Sequence, residues 1–390
     1  MSTKIFDKVI VVNSLDELLY KTLLELNTCD EVESRLGDNT KELLGMSVMM
    51  TNPRNNWMLS KERKHNIFHQ IGESLAVLAG DLDMTYLTRF LPGAKYFSDD
   101  YNDETNTGHW RADYANRIRH FKGVKANSFY GDNREQEVIE VDQLKNVYEE
   151  LKARPNSRRA VIVLWSPADD GTFPESLDYP CNDMIQFIIR GGKLHMIVTQ
   201  RSADGIWGTS AINAIEFPLM QRLMASALGV EVGVYRHQMG SFHIYDKHYD
   251  RADAIVKEYE TFDFTQSEDS TNSSEFETVG DFNTISDMLK TIHDLEMSAR
   301  HVIDGITLPQ NQYNNANFFT ACLLETERNS EKYPNIVGTF MIPLLYKRDL
   351  DSEYVVRFMK MIDKATLHPA LRKIVDEKIT KMREKKNASK

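Results

Sequence analysis

YPCNDMIQFIIRGGKLHMIVTQRSADGIWG, residues 179–208, is the stretch from which the rest of the chain can be ordered. Asp183–Arg190 and Lys193–Gln200 are two apolar runs that meet at Gly191-Gly192, the residue pair that two-residue β-hairpins favour. Upstream, Asn156-Ser-Arg-Arg159 leads into AVIVLW (160–165), an apolar run of the kind that forms a buried strand. Downstream, the pattern predicts a helix from about Ala211 to Leu228, stopped by Gly229. A strand around Gly233–His237 follows, then SFHIY (241–245). Strands and helices therefore alternate across the middle of the chain.

The N-terminal part supplies more helices. Ser14-Leu-Asp-Glu17 has the form of a capping box, with a helix expected to about Leu26. A polar turn around Gly37-Asp38-Asn39 precedes an apolar strand after Gly45. From Ser60 to Gly80 the apolar residues Ile67, Phe68, Ile71, Leu75 and Leu78 form one helical stripe. Glu73 projects from the other side, where it faces solvent or, since Ala76 and Val77 flank it, a second buried surface. Residues 93–135 read as long loops around a short helix near Tyr114–Phe121, and a loop of that length in a compact protein is usually functional or disordered. The aromatics Tyr96, Phe97, Trp110 and Tyr114 argue against disorder. Glu140–Arg154 reads as a helix that ends before Pro155.

After Tyr259 the character changes. TQSEDSTNSSEFET (265–278) is polar, acidic and nearly free of aliphatics, so it reads as a linker or loop. Beyond it, 284–303, 318–329 and 352–384 carry helical periodicity. The expected organisation is a catalytic domain over 1–262, a linker over 263–280 and a helical extension over 281–390.

With 41% hydrophobic and 27% charged residues, the composition is that of a globular protein. A net charge of −11 disfavours non-specific binding to nucleic acid or anionic membranes. The three cysteines, Cys29, Cys181 and Cys322, are far apart and lack metal-ligand spacing, which points to a reducing compartment. No apolar run approaches the roughly 18–20 residues needed to span a bilayer. A cytoplasmic protein without a metal is the expectation.

Cys181 admits two readings. Most free cysteines are buried structural thiols. A nucleophile instead needs positive charge nearby to hold a thiolate, and Arg158, Arg159 and Arg201 could supply it once the strands pair. Groups for holding a phosphate, reading a base and moving a proton also occur, which a structural cysteine would not require.

On these residues the chain resembles the thymidylate synthase superfamily, most like its deoxypyrimidine-nucleotide hydroxymethylase branch. The match runs through most of residues 30–250. Pro180-Cys181 is similar to the family's cysteine motif and Gln200-Arg201-Ser202-Ala203-Asp204 to its downstream signature. Arg158-Arg159 resemble the tandem arginines that enter the phosphate site from a partner subunit. His243 and Tyr245 resemble the pair that holds the deoxyribose hydroxyl, Arg35 the phosphate-loop arginine, Glu73 the catalytic glutamate and Tyr114 the active-site tyrosine.

The resemblance implies an α/β (α+β) fold: a twisted mixed sheet with flanking helices, sheets packed face to face in a homodimer, and a C-terminal helical extension. It also implies that Cys181 adds to C6 of a pyrimidine monophosphate, making C5 nucleophilic toward the one-carbon unit of methylenetetrahydrofolate. Arg35, Arg158, Arg159, Arg201 and Ser202 would clamp the phosphate, and Asp204 would hold the folate. Hydride capture of the resulting methylene gives thymidylate, and water capture gives a 5-hydroxymethyl pyrimidine.

Three departures favour water. The loop that carries a tryptophan pair in the synthases reads Tyr96-Phe97-Ser98-Asp99-Asp100, the family's histidine after the cysteine is Asn182, and the apolar C-terminal ending is missing. A wetter site favours hydroxymethylation, with thymidylate synthesis as the alternative. The base-reading residue is Asn213 only if one residue is inserted after Gly208; otherwise Ile212 stands there. An amide offers uracil both a donor and an acceptor, whereas cytosine calls for an aspartate. The expected substrate is therefore dUMP, with dCMP the alternative. A catalytically silent nucleotide- or RNA-binding regulator is the reading from another class. Hydroxymethyl pyrimidines are typical of viruses that modify their DNA, so a virus-encoded protein would fit.

Overall fold

Both glycines of the Gly191-Gly192 turn have positive φ, 58° and 74°, and the hairpin they close is the middle of the sheet. The computed structural model describes residues 4–5, 7, 9–34, 37–105, 107–126, 136–172, 175–264, 282–304, 316–348, 353–362, 365 and 367–388. Arg35 and the acidic stretch 265–278 lie outside the described residues.

The strands, numbered in chain order, are β1 (Lys4–Ile5), β2 (Val9–Val12), β3 (Glu31–Glu33), β4 (Asn39–Met50), β5 (Phe121–Ala126), β6 (Gln136–Val141), β7 (Val161–Val163), β8 (Asn182–Arg190), β9 (Lys193–Asp204) and β10 (Glu231–Tyr245). The main sheet runs β1-β4-β10-β9-β8-β7, with β2 and β3 also pairing β4. β9 and β10 are parallel, while β4–β10, β8–β9 and β7–β8 are antiparallel, so the sheet is mixed. The parallel step requires a crossover, provided by the helix Ala214–Leu228, which ends on Gly229 at φ 70°.

Several expectations change. The Glu73 helix is Ile67–Ala79, shorter than 60–80, because Asn66 caps it by accepting the His69 N–H at 3.2 Å. Every residue from Ile67 to Leu78 is buried. One side meets the helix Ala214–Leu228, and others meet the helices Ile285–Asp304 and Pro334–Arg348 of the C-terminal region. The second buried surface is therefore real. β7 is an edge strand with Val163 43% exposed, and its apolar run is not buried on both faces. Phe121–Ala126, within the stretch read as loops around a short helix, pairs with Gln136–Val141 as a two-stranded antiparallel sheet. The helix expected from Glu140 starts at Gln143, because Asp142 caps it through the Lys145 N–H and Glu140 remains in β6. The last strand extends to Tyr245, and the helices Pro334–Arg348, Glu353–Met361 and Pro369–Ala388 divide the C-terminal region more finely than periodicity suggested.

The capping box forms with a displaced partner. Ser14 Oγ accepts the Glu17 N–H at 3.2 Å, while Glu17 Oε2 accepts the N–H of Asn13 at 2.6 Å.

Candidate active site

Register assembles the site. Asn182 pairs Gln200 across β8–β9, while Ser202 and Asp204 pair Ser241 and His243 across β9–β10. Cys181, just before β8, is tied to the next strand by the Arg201 N–H, which donates to the Cys181 carbonyl at 2.9 Å. One row across three strands thus carries the cysteine, the arginine-serine pair and the histidine.

Tyr114 opens the helix Tyr114–Arg119 and its hydroxyl accepts three N–H groups: Cys181 N at 3.0 Å, Asn182 N at 3.1 Å and Asn182 Nδ2 at 3.0 Å. Burial pushes its ionisation well upward, so it stays a neutral phenol. Asn182 Oδ1 in turn accepts from Asn213 Nδ2 at 3.4 Å. A line of three polar groups, Tyr114, Asn182 and Asn213, therefore runs beside the cysteine.

Asn213 reaches that line through a π-helical turn, Gly208–Asn213. A π-turn holds one more residue than an α-turn of the same helix. The turn leaves Asn213 buried and Ile212 partly exposed. At Gly208 an added Cβ would lie 3.8 Å from Asn213 Nδ2 and 3.9 Å from Gln200 Nε2, so the three residues share one small space.

Arg201 donates from Nε to the Pro180 carbonyl at 3.0 Å and lies over the Trp165 ring at 5.4 Å. No carboxylate among the described residues pairs with it. Burial pushes the Cys181 thiol up, and the Arg201 charge pulls it back. Gln200 Nε2 donates to the Ser202 carbonyl at 2.8 Å, while its buried Oε1 has no hydrogen bond among the described residues. Burial lowers the ionisation of His243, keeping the imidazole neutral; its Nδ1 lies 3.1 Å from Ser241 Oγ and its ring meets Tyr245 edge-on at 5.3 Å.

Asp204 Oδ1 accepts the N–H groups of Ile206 and Trp207 at 2.8 and 2.9 Å, shaping the turn into the π-helix. Trp207 is 46% exposed and its ring lies 6.2 Å from that of His69. His69 Nε2 is 2.8 Å from Glu73 Oε2, a close contact rather than an aligned hydrogen bond. Glu73 thus connects to the π-turn through His69 and Trp207. Phe97 is 51% exposed at the end of the short 3-10 helix Pro92–Phe97, and Asp99 just beyond it accepts the Leu177 N–H and the Ser176 hydroxyl at 2.7 Å each, fastening this turn to the segment entering Cys181.

The tandem arginines stand apart from this cluster. Arg159 is exposed and pairs Glu150 at 3.3 Å, while exposed Arg158 accepts at its carbonyl from Gln186. Sequence reading did not select Trp207, His69 or Trp165. His69 could have been found from its i, i+4 spacing to Glu73, whereas the other two depend on tertiary contacts.

The described residues thus bring the Cys181 thiol, the Arg201 guanidinium and the Asn182–Asn213 amide pair into one neighbourhood, the set of groups a covalent site would need. Residues 19–304 match the family model described as Thymidylate synthase, and the chain belongs to that family. Its relatives include proteins named deoxyuridylate hydroxymethyltransferase. The one from Bacillus phage SP01 is 35% identical over 209 residues, covering 54% of this chain and 51% of that protein. One from Pseudomonas phage M6 is 33% identical over 187 residues, 48% and 46% of the two chains. One from Delftia phage PhiW-14 is 29% identical over 240 residues, 59% and 60%. The chain thus spans about half the length of the curated relatives it matches. Among the described residues no helix is long and apolar enough to cross a membrane.

Proposed function

We propose that this protein is a folate-dependent pyrimidine one-carbon transferase that converts dUMP to 5-hydroxymethyl-dUMP. The observation that carries the reading is the buried Asn213–Asn182 amide pair beside Cys181, and the names of the phage relatives support it. A uracil presents both a donor and an acceptor, which a rotatable amide can match.

In this reading Cys181 attacks C6 as a thiolate, with Arg201 offsetting the cost of burying its charge. Arg201 and Ser202 hold the phosphate with Arg35, while Arg158 and Arg159 join them from a second copy in a homodimer. His243 and Tyr245 position the sugar, Gln200 and Tyr114 order the nucleotide, and Glu73 moves the C5 proton. Methylenetetrahydrofolate, when bound, supplies the one-carbon unit. Asp204, Phe97 and Trp207 are the residues we assign to hold it, the two aromatics each presenting half-exposed surface. Such exposure leaves water access to the reacting carbon, and water is the nucleophile we assign to the last step. Soluble expression in a host cytoplasm fits this chemistry.

The test is incubation of the purified chain with dUMP or dCMP and methylenetetrahydrofolate, followed by product mass. The expected product is one oxygen heavier than thymidylate, formed from dUMP with tetrahydrofolate released. Thymidylate with dihydrofolate would overturn hydroxymethylation, preference for dCMP would overturn the base assignment, and tight nucleotide binding without turnover would favour a regulator.

A further inference from the structure

One turn before Glu73, on the same helix, stands a histidine to which the proposed reaction assigns no role. His69 Nε2 lies 2.8 Å from Glu73 Oε2, and both side chains are buried. Residues four apart share a helix face, so the contact follows from the helix itself. Asn66 fixes this end of the helix by accepting the His69 N–H and donating from Nδ2 to the Phe90 carbonyl at 2.8 Å. The imidazole also meets the half-exposed Trp207, ring centres 6.2 Å apart and planes 31° from parallel. His69 thus touches both the buried carboxyl and a ring that reaches solvent.

Titratable neighbours come from the elements packed on this helix. The helix Ala214–Leu228 brings Glu216, which burial pushes well above its ordinary range and keeps protonated. Arg119 donates to the Leu78 carbonyl at 2.5 Å, and the Tyr86 hydroxyl to the Gly72 carbonyl at 3.2 Å. The Tyr114 hydroxyl is taken up by Cys181 and Asn182. Glu296 and Arg300 are tied to each other and to Asp83. Gly208–Asn213 and residues 334–345 carry no titratable side chain. No lysine or arginine among the described residues pairs with Glu73, and His69 is the basic group in contact with it.

Water capture removes two protons from the reacting atoms, one from C5 and one from the water, where hydride capture removes only the first. A single carboxylate can hold one of them. We infer that His69 is a positioning residue that carries the first proton away from Glu73 and so lets Glu73 act twice. This rests on the reading of Glu73 as the proton-moving group and of water as the last nucleophile. Glu73 takes the C5 proton, and turning its carboxyl about χ3, a broad torsion, brings the O–H to the Nε2 lone pair of an imidazole protonated on Nδ1. Transfer to Nε2 leaves an imidazolium beside a restored carboxylate, a charge-assisted pair. That carboxylate takes the proton of the water whose oxygen bonds to the methylene carbon, while the Cys181–C6 bond breaks with its electron pair going to sulfur. The two protons equal those gained by the two nitrogens that release the one-carbon unit, so no oxidant or reductant is needed. Contacts used for proton transfer are often poorly aligned without substrate, and the 2.8 Å separation already places the two atoms within reach.

The experiment compares wild type with His69→Gln, which keeps a donor toward Glu73 but cannot take a proton. Single turnovers with dUMP tritiated at C5 and methylenetetrahydrofolate are quenched in acid. Loss of C5 tritium is expected to change by less than about threefold, while 5-hydroxymethyl-dUMP forms about tenfold or more slowly. A merely structural role would slow both steps together, so equal slowing, or slowing of neither, overturns the inference. A second measurement needs no turnover and does not depend on H69Q folding. In nitrogen NMR of the protein with labelled histidine, Glu73→Gln is expected to move the His69 ring resonances and leave those of His237 in place. Unmoved His69 resonances overturn the pairing. A wild-type protein that makes thymidylate instead would count against the proposed reaction, and the His69 resonances would then decide the pairing by themselves.

Discussion

The side-chain amide of Asn182 donates to the hydroxyl of Tyr114 at 3.0 Å, and the same oxygen takes the backbone N–H groups of Cys181 and Asn182. One phenol on the helix Tyr114–Arg119 therefore sets the backbone of the candidate nucleophile and the orientation of the amide that meets Asn213. The Asn182 position links tyrosine to asparagine while staying neutral at every pH.

Tyr114→Phe keeps the ring and deletes the acceptor. Leaving buried donors unpaired costs about 1–3 kcal/mol. The expected outcome is a lower melting temperature together with reduced kcat, read by thermal melts and product assay. Unchanged stability would mean that water replaces the hydroxyl.

Asn213→Asp replaces the amide donor by a carboxyl that accepts from the N4 amino group of cytosine. The ratio of dCMP to dUMP turnover should rise by about tenfold or more, measured with both nucleotides in competition.

Burial raises the Cys181 thiol and Arg201 opposes that rise. A raised thiol ionises only at higher pH, so thiolate is lost as pH falls through that value. Arg201→Gln removes the opposing charge and should move the rising limb of alkylation rate against pH further to higher pH. Iodoacetamide labelling of Cys181 reads this without substrate.

Hydrogen bonds from Leu177 N–H and Ser176 hydroxyl hold the Asp99 carboxyl below its ordinary range. The fastening it provides is present above the ordinary carboxylate pKa and is lost as pH falls through the lowered one. Asp99→Ala should release the Phe97 turn at neutral pH, seen as faster hydrogen exchange at the Leu177 amide and a higher KM for the folate.

Arg300, on the helix Ile285–Asp304, pairs with buried Glu296 and with Asp83, and its Nη2 donates to the Asp81 carbonyl at 2.6 Å. Asp81 and Asp83 follow directly after the Glu73 helix, so this cluster joins the C-terminal layer to it. Arg300→Met leaves Glu296 without its cation, and breaking such a buried pair costs about 3–5 kcal/mol. Denaturant unfolding should show that loss.

How much of this was legible beforehand depends on how local the cause is. The Gly191-Gly192 turn, the Ser14 cap and the stop at Gly229 are written in neighbouring residues, because a left-handed turn or a cap needs a particular residue at a particular place. The candidate nucleophile Cys181 and the Arg201-Ser202 signature were legible for the same reason, since chemistry restricts residue type. The sequence left Asn213 and Ile212 as alternatives, depending on whether a residue is inserted after Gly208; only the folded chain showed the π-turn that buries Asn213 and leaves Ile212 partly exposed.

Other features required the tertiary structure. Helical periodicity placed Glu73 opposite the apolar stripe, but whether that side met water depended on helices more than two hundred residues away. The edge position of β7 rests on the same kind of long-range packing. By itself the sequence determined which groups could react and where the chain must turn, because those are properties of single residues and their neighbours. Only the tertiary structure decided which of those groups lose water and meet, because burial depends on every element that packs around them.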